Sequence, residues 1–245
     1  MLVTREGTVA VVTLNRPARR NALSIALLKE LKQTFAELGD DRDVRVVILA
    51  ATGSVFCSGH DLKEMTGRRE EEYEELFATC TDVMLGMQSI PQPVIAEVQG
   101  MATAAGCQLV AACDLGIAAE TAEFATPGVK IGLFCSTPAV PIVRCIGRKR
   151  ALEMLLTGAP ISAETAAGWG LINRVVPAAE LQQATRSVAL QISQANAYTL
   201  CVGKHAFYEQ LNFGEMEAYQ HAQQAMISNA QAPAAQEGIR RFLKK

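Results

Sequence analysis

Two glycine-bearing segments, "FCSGHDLKEM" (Phe56–Met65) and "GMATAAGCQL" (Gly100–Leu109), each follow a run that reads as a strand. Their small residues let the backbone approach a ligand closely, and the helix that should follow the second turn adds the positive end of its dipole. Backbone N–H groups from both turns, facing a common space, would hold a developing negative charge on a carbonyl oxygen, as an oxyanion hole does. Within "AAGCQLVAACD" (Ala104–Asp114) the polar side chain ahead of the final aspartate is Gln108. An amide orients water or a carbonyl but takes up no proton near neutral pH. These residues point to anion stabilisation by backbone, without a carboxylate to move protons.

Other side chains are reserves. His60 lies in the first turn, where an imidazole titrates near physiological pH, although a histidine bonded to local backbone would look the same in sequence. In "GLFCSTP" (Gly132–Pro138), Cys135, Ser136 and Thr137 are polar enough to position water, but no base stands beside Cys135 to activate it, so it reads as a buried thiol. Glu97 in "VIAEVQG" faces either the pocket or a subunit contact, because strand alternation alone does not fix the face.

The elements that would carry these residues alternate along the chain. "TVAVVTLN" and "VRVVILA" are β-branched strands, and "PVIAEVQG" is a third. Ser24 is a helix N-cap, after which Leu28, Leu31, Phe35 and Leu38 recur on one face and leave Lys29, Glu30, Lys32 and Glu37 toward water. The acidic run from Arg68 to Glu75 opens a second amphipathic helix ending near Met87, "AAGCQLVAAC" is a short buried helix, and "LGIAAETAEFAT" holds two strand-like segments. Repeated strand and helix predict an α/β fold with much parallel pairing. From about Pro177 the chain becomes alanine-, glutamine- and glutamate-rich helices whose apolar faces a single layer would not bury, which predicts packing on another subunit.

Composition narrows the partners. The 245 residues are 49% hydrophobic and carry a net charge of −2, which supplies a core but no basic stripe, so no nucleic-acid partner is expected. No apolar run is long enough to span a bilayer, so no membrane partner is expected either. The seven cysteines contain no C-x-x-C pair and the three histidines are widely spaced. That pattern predicts reduced thiols and no metal site. The N-terminus shows no signal peptide, giving a cytoplasmic expectation, with the mitochondrial matrix as the alternative if an upstream targeting segment has been removed.

The motifs "LNRPARRNALS", "VFCSGHDLKEM", "PVIAEVQGMATAAGCQLVAACDLGIA", "FATPGVKIGL" and "LEMLLTGAPISAETAAGWGLINRVVP" follow one another in an order that resembles the enoyl-CoA hydratase/isomerase, or crotonase, superfamily. The resemblance covers nearly the whole chain and is greatest to the branch called enoyl-CoA hydratase domain-containing protein 3. It implies a crotonase-like ββα spiral over residues 1–176 and a C-terminal helical trimerisation region over residues 177–245, assembled as a homotrimer or dimer of trimers. It also implies an acyl-CoA thioester as ligand, coenzyme A being part of that substrate and no separate cofactor being needed. The family's oxyanion hole maps onto the N–H groups of His60 and Ala105. Arg19, Arg20 and Lys63 match its coenzyme-binding cations, and Phe242 and Lys245 match groups contributed by a neighbouring subunit.

Hydratases of the family use two glutamates, one in the pattern G-C-E and one in F-x-x-P-E. Here those positions are Gln108 and Gly128. The resemblance therefore implies an enoyl-CoA hydratase/isomerase relative in which ordinary hydration should fail or be very slow. A noncatalytic acyl-CoA-binding or regulatory protein is one alternative. Another is a different acyl-CoA reaction, such as decarboxylation or thioester hydrolysis, using His60 or water held by Gln108; a histidine in this turn resembles the methylmalonyl-CoA decarboxylase branch.

Overall fold

The computed structural model describes residues 1–244; Lys245 lies outside the described residues. Two strands, β1 (Leu2–Glu6) and β2 (Val9–Leu14), lead into helix α1 (Ile25–Asp40). Ser24 caps α1 by accepting a hydrogen bond from the Leu27 N–H, and Leu28, Leu31, Phe35 and Leu38 are buried along its inner face. The chain continues through β3 (Val46–Ala51), β4 (Val55–Cys57), α2 (Glu70–Ser89), β5 (Val94–Val98), β6 (Met101–Thr103), α3 (Ala105–Ala112), β7 (Leu115–Ala119) and β8 (Glu123–Ala125). After a 3-10 turn at Pro127–Ile131 come α4 (Ser136–Ile146), α5 (Arg148–Thr157), β9 (Ile161–Ser162), α6 (Ala163–Trp169) and β10 (Arg174–Val176). Four helices complete the chain: α7 (Leu181–Ser193), α8 (Ala197–Gln210), α9 (Glu215–Gln231) and α10 (Pro233–Phe242).

The strands sort into two sheets, one of order β1-β2-β3-β5-β7-β10 and a smaller one of order β4-β6-β8-β9. Apart from the β1–β2 and β8–β9 pairs, neighbours are parallel. The pairs β3 and β4, β5 and β6, β7 and β8 each give one strand to each sheet before the chain turns into helix or 3-10 structure. The result is the ββα spiral that the family resemblance implied, and the parallel pairing that the alternation of elements predicted. The short strands of the smaller sheet, two or three residues each, lie below the length at which alternation is readable.

Alternation in the large sheet divides the core. Val12, Leu14, Val47, Leu49, Val94 and Ala96 pack toward α1, α2 and α3. Val11, Ile48, Ile95 and Ile117 face the other way and are covered by Leu181, Val188 and Ala189 of α7. Each valine, leucine or isoleucine among them taken fully out of water contributes roughly 1.5–3 kcal/mol.

One polar network pins α8 onto this core. Asp114 accepts hydrogen bonds from the Val94 N–H at 2.6 Å and the Tyr208 hydroxyl at 2.8 Å, and pairs with the Lys204 ammonium at 2.8 Å. Lys204 also donates to the carbonyls of Met87 and Gln92, so its three donors are all used. By contrast, α8, α9 and α10 bury none of their own described residues and leave Phe207, Met216, Tyr219, Met226 and Phe242 more than half exposed. Among the described residues no helix is long and apolar enough to cross a membrane.

Candidate functional site

The first turn is held from the side by the loop before α1. The Leu23 N–H donates to the Gly59 carbonyl at 2.8 Å and the Asp61 N–H donates to the Leu23 carbonyl at 3.0 Å. This parallel bridge uses residues 59 and 61, so the N–H of His60 faces the opposite way. Gly59 has φ +89°, which a side chain resists, and a Cβ there would lie 3.3 Å from the Ala105 nitrogen and 2.9 Å from the Ala104 Cβ. The first turn therefore rests directly on the start of α3.

The second turn is strained. Ala104 has φ 50° and ψ −118°, a conformation that favours glycine, and it donates its own N–H to the Ala125 carbonyl at 2.9 Å. Ala105 is then the first residue of α3, whose N–H has no intrahelical partner. Among the described residues neither the His60 nor the Ala105 N–H finds an acceptor. Gly106 is equally constrained, since a Cβ there would run into the Cys57 carbonyl and drive α3 off β4. The two N–H groups onto which the family resemblance maps an oxyanion hole thus lie on abutting turns positioned by backbone.

Side chains around the donors differ from the sequence expectation in instructive ways. The His60 ring packs edge-on against Phe77 at 5.6 Å, and Phe77 stacks on Tyr73. Both ring nitrogens are buried without a hydrogen bond of good geometry, the Leu23 backbone being the local polar group beside the ring. Burial pushes its pKa down to about 4, against a weaker opposing influence of the Leu23 backbone. The imidazole is neutral at physiological pH and does not titrate there. Tyr73 within the acidic run and Phe77 just past it, four residues apart, were the visible signal for this wall, which sequence reasoning missed.

Gln108 is 4% exposed and its Oε1 is buried with no partner. It lines a cavity of about 230 Å³ together with Thr81, Met84, Thr137, Pro141 and Asn212. Gly128 is buried in the 3-10 turn, where a Cβ would meet the Leu133 carbonyl oxygen at 2.6 Å and Cys135 Sγ at 2.8 Å. The chain from 133 to 135 fills the space into which a side chain at 128 would grow. Thr126, unremarked in the sequence, is fully buried and its hydroxyl is likewise unpartnered.

The remaining candidates separate cleanly. Arg19, Arg20 and Lys63 are exposed and, among the described residues, form no ion pair. The Ser58 N–H donates to the Arg20 carbonyl at 3.1 Å, which ties their loop to the first turn. Arg16 clamps the same loop by bonding the Ala22 carbonyl, Ser24 and Asp61. Phe242, 77% exposed, sits at the end of α10, which packs chiefly on α9, so this chain's own packing does not bring it to the two turns. Lys245 lies outside the described residues.

Glu97 faces α7, with Oε2 3.8 Å from Arg186, and burial raises its pKa against that charge. It belongs to the far side of the sheet. Asp61 caps a 3-10 turn and Asp114 sits in the α8 network, both structural. Burial raises the Cys135 thiol, as expected of an inert cysteine. Among the described residues no group of three or more metal-ligating side chains is assembled.

Comparison with known proteins shows the family and the fold. The family model described as "Enoyl-CoA hydratase/isomerase" matches residues 4–245. The human protein named enoyl-CoA hydratase domain-containing protein 3, mitochondrial, is 48% identical over 235 residues, 96% of this chain and 78% of that one. A Mycobacterium tuberculosis protein named as a probable enoyl-CoA hydratase is 32% identical over all of this chain and 95% of its own. Among solved structures, an enoyl-CoA hydratase of Mycobacterium smegmatis superposes with a TM-score of 0.97 at 48% identity, covering 99% of this chain and 95% of that one. The human domain-containing protein 3 superposes with a TM-score of 0.96 at 45% identity, covering 99% and 96%.

Proposed function

The chain belongs to the enoyl-CoA hydratase/isomerase family, and from that premise we propose that it binds an acyl-CoA thioester with the carbonyl oxygen between the N–H groups of His60 and Ala105. The observation that carries this reading is the abutment of two turns that each leave one N–H unpaired. The start of α3 adds its positive dipole end to the same point. In this reading Arg19, Arg20 and Lys63 attract the coenzyme phosphates along the rim.

Phe242 and Lys245 complete the coenzyme site from a neighbouring copy. The helices of residues 177–245 build a homotrimer or dimer of trimers, which would cover the apolar side chains that α8, α9 and α10 leave exposed. The mammalian relatives are named as mitochondrial proteins, which favours the matrix alternative over the cytoplasm for this chain.

Two-glutamate hydration is not supported by these residues. Gln108 is no base, Gly128 has no side chain, and the neutral His60 ring is a poor substitute acid. General acid–base catalysis contributes about 10²–10⁴-fold, and an oxyanion hole alone forgoes that part of a normal rate. The filled space at Gly128 favours a second reading, a noncatalytic acyl-CoA-binding or regulatory protein. A third is decarboxylation or thioester hydrolysis with water held by Gln108.

Mass spectrometry after incubation with enoyl-, malonyl-type and saturated acyl-CoA thioesters separates these readings. A protein-dependent mass change names the reaction by what is gained or lost. Binding without any change selects the noncatalytic reading, and absence of binding to every thioester overturns the proposal.

A further inference from the structure

We propose that Arg16 is a positioning residue for the anion-binding point: its guanidinium keeps the His60 N–H aimed and joins that donor to the segments carrying the cations of the rim. This deepens the acyl-CoA reading above and rests on it. Arg16 stands before Pro17 in the loop that runs to α1. Its own N–H donates to Asn21 Oδ1 at 2.8 Å, and the Asn21 N–H donates to the Arg16 carbonyl at 3.0 Å. Asn21 is fully buried, and its side-chain nitrogen donates to the Thr52 and Val55 carbonyls, both at 2.8 Å. The main chain of Arg16 is thereby fixed to the connection between β3 and β4. Its side chain is left to reach across the loop.

What it reaches is the bridge that aims the donor. Residues 59 and 61 bond to Leu23, which turns the His60 N–H away from that loop. Arg16 Nη1 donates to the Ala22 carbonyl at 2.7 Å and to Ser24 Oγ at 2.9 Å, the residues on either side of Leu23. Its Nη2 donates to Asp61 Oδ2 at 3.4 Å, one residue beyond His60. A single planar cation therefore grips both sides of a bridge that is otherwise held by two backbone bonds. Arginine suits this task because its fork presents several donors in fixed directions, whereas a lysine ammonium is a point charge on a flexible stem.

Charge supplies a second reason. Asp61 places a carboxylate one residue from a donor meant for a developing negative oxygen, and Arg16 is its ion-pair partner among the described residues. Left unpaired, that carboxylate would oppose an anion at His60. The other oxygen of Asp61 accepts the Lys63 N–H at 3.3 Å, while Arg19 and Arg20 lie on the loop that the Arg16 side chain spans. Phosphates drawn to these three cations act on the same frame that holds His60. Coenzyme binding and donor placement are joined through one guanidinium.

The test is the thioester carbonyl stretch of bound butyryl-CoA, read by infrared difference spectroscopy at saturation so that affinity does not enter. The native protein, Arg16→Gln and Arg16→Lys are compared, each variant first shown by thermal melting to be folded. The native complex should lower the frequency from its solution value, and both variants should lose more than half of that displacement, lysine failing to rescue it. A full native displacement in either folded variant overturns the assignment. No displacement in the native complex, or no binding, is a different outcome, since it sinks the acyl-CoA reading itself. Should the single variants fail to fold, Arg16→Gln with Asp61→Asn, which leaves no stranded carboxylate, decides by the same frequency: a displacement still more than half lost upholds the assignment, and a restored one overturns it.

Discussion

Cys135 Sγ stands 2.8 Å from the point where a side-chain carbon at Gly128 would begin, and the Leu133 carbonyl oxygen is closer still, at 2.6 Å. Backbone cannot retreat as a flexible side chain can. Gly128→Glu should therefore cost about 1–3 kcal/mol, the usual range for overpacking a filled site. Gln108→Glu combined with Gly128→Glu should still not hydrate an enoyl thioester. A denaturant midpoint and the ultraviolet loss of the conjugated thioester check both statements; a double variant with native stability and hydratase turnover would show the loop to be more yielding than its packing.

His60 carries a pH signature. Its folded pKa lies near 4 because burial disfavours the cation, whereas an unfolded histidine titrates near 6.5. The unfolded chain binds the extra proton between those values, so stability rises with pH across that window and is lost as pH falls from about 6.5 to 4. The full effect is on the order of 3 kcal/mol. Unfolding curves of the native protein and of His60→Phe should diverge progressively below pH 6.5; parallel curves would mean that the ring is hydrated.

The Ala105 N–H can be deleted without touching any side chain in the cavity. Proline is tolerated at the first position of a helix, and glycine at 104 relieves both the strain there and the restriction that a following proline imposes. In Ala104→Gly/Ala105→Pro the thioester carbonyl stretch of bound acyl-CoA should move back toward its solution frequency, while in Ala104→Gly alone it stays shifted. Infrared difference spectra decide this whether or not the protein is catalytic. Any turnover should fall about 10²–10³-fold with the donor gone.

Removing Asp114 should be far more damaging than its distance from the two turns suggests. Asp114→Ala strands the Lys204 ammonium in a buried setting and takes away the acceptor for Tyr208 and the Val94 N–H. A loss of about 3–5 kcal/mol is expected. Combining Asp114→Ala with Lys204→Met should recover part of it, which thermal melts of the single and double variants will show.

Much of this was legible because periodicity survives in sequence. The buried stripe of α1, the cap at Ser24 and the fully buried α3 announce themselves by spacing, and so do the two glycine turns. What was not legible depends on which face a residue presents. Glu97 alternates onto the α7 side because Val94 and Ala96 take the other, and no local pattern says which side holds the site. Gly128 read as a lost side chain until the returning chain at Leu133 and Cys135 gave it a steric reason. The His60 ring looked like a physiological titrator because burial against Phe77, seventeen positions away, leaves no mark on the turn itself.

The two donors come from successive turns of the spiral, one just after β4 and one just after β6, and those strands are neighbours in the smaller sheet. Their separation is therefore inherited from the lateral spacing of paired strands, about 4.8 Å, a length that belongs to all β-structure. No side-chain substitution short of proline erases either donor, so positions such as Gln108 can change while the pair of N–H groups stays where it is. The scaffold behaves as a fixed socket with interchangeable fittings.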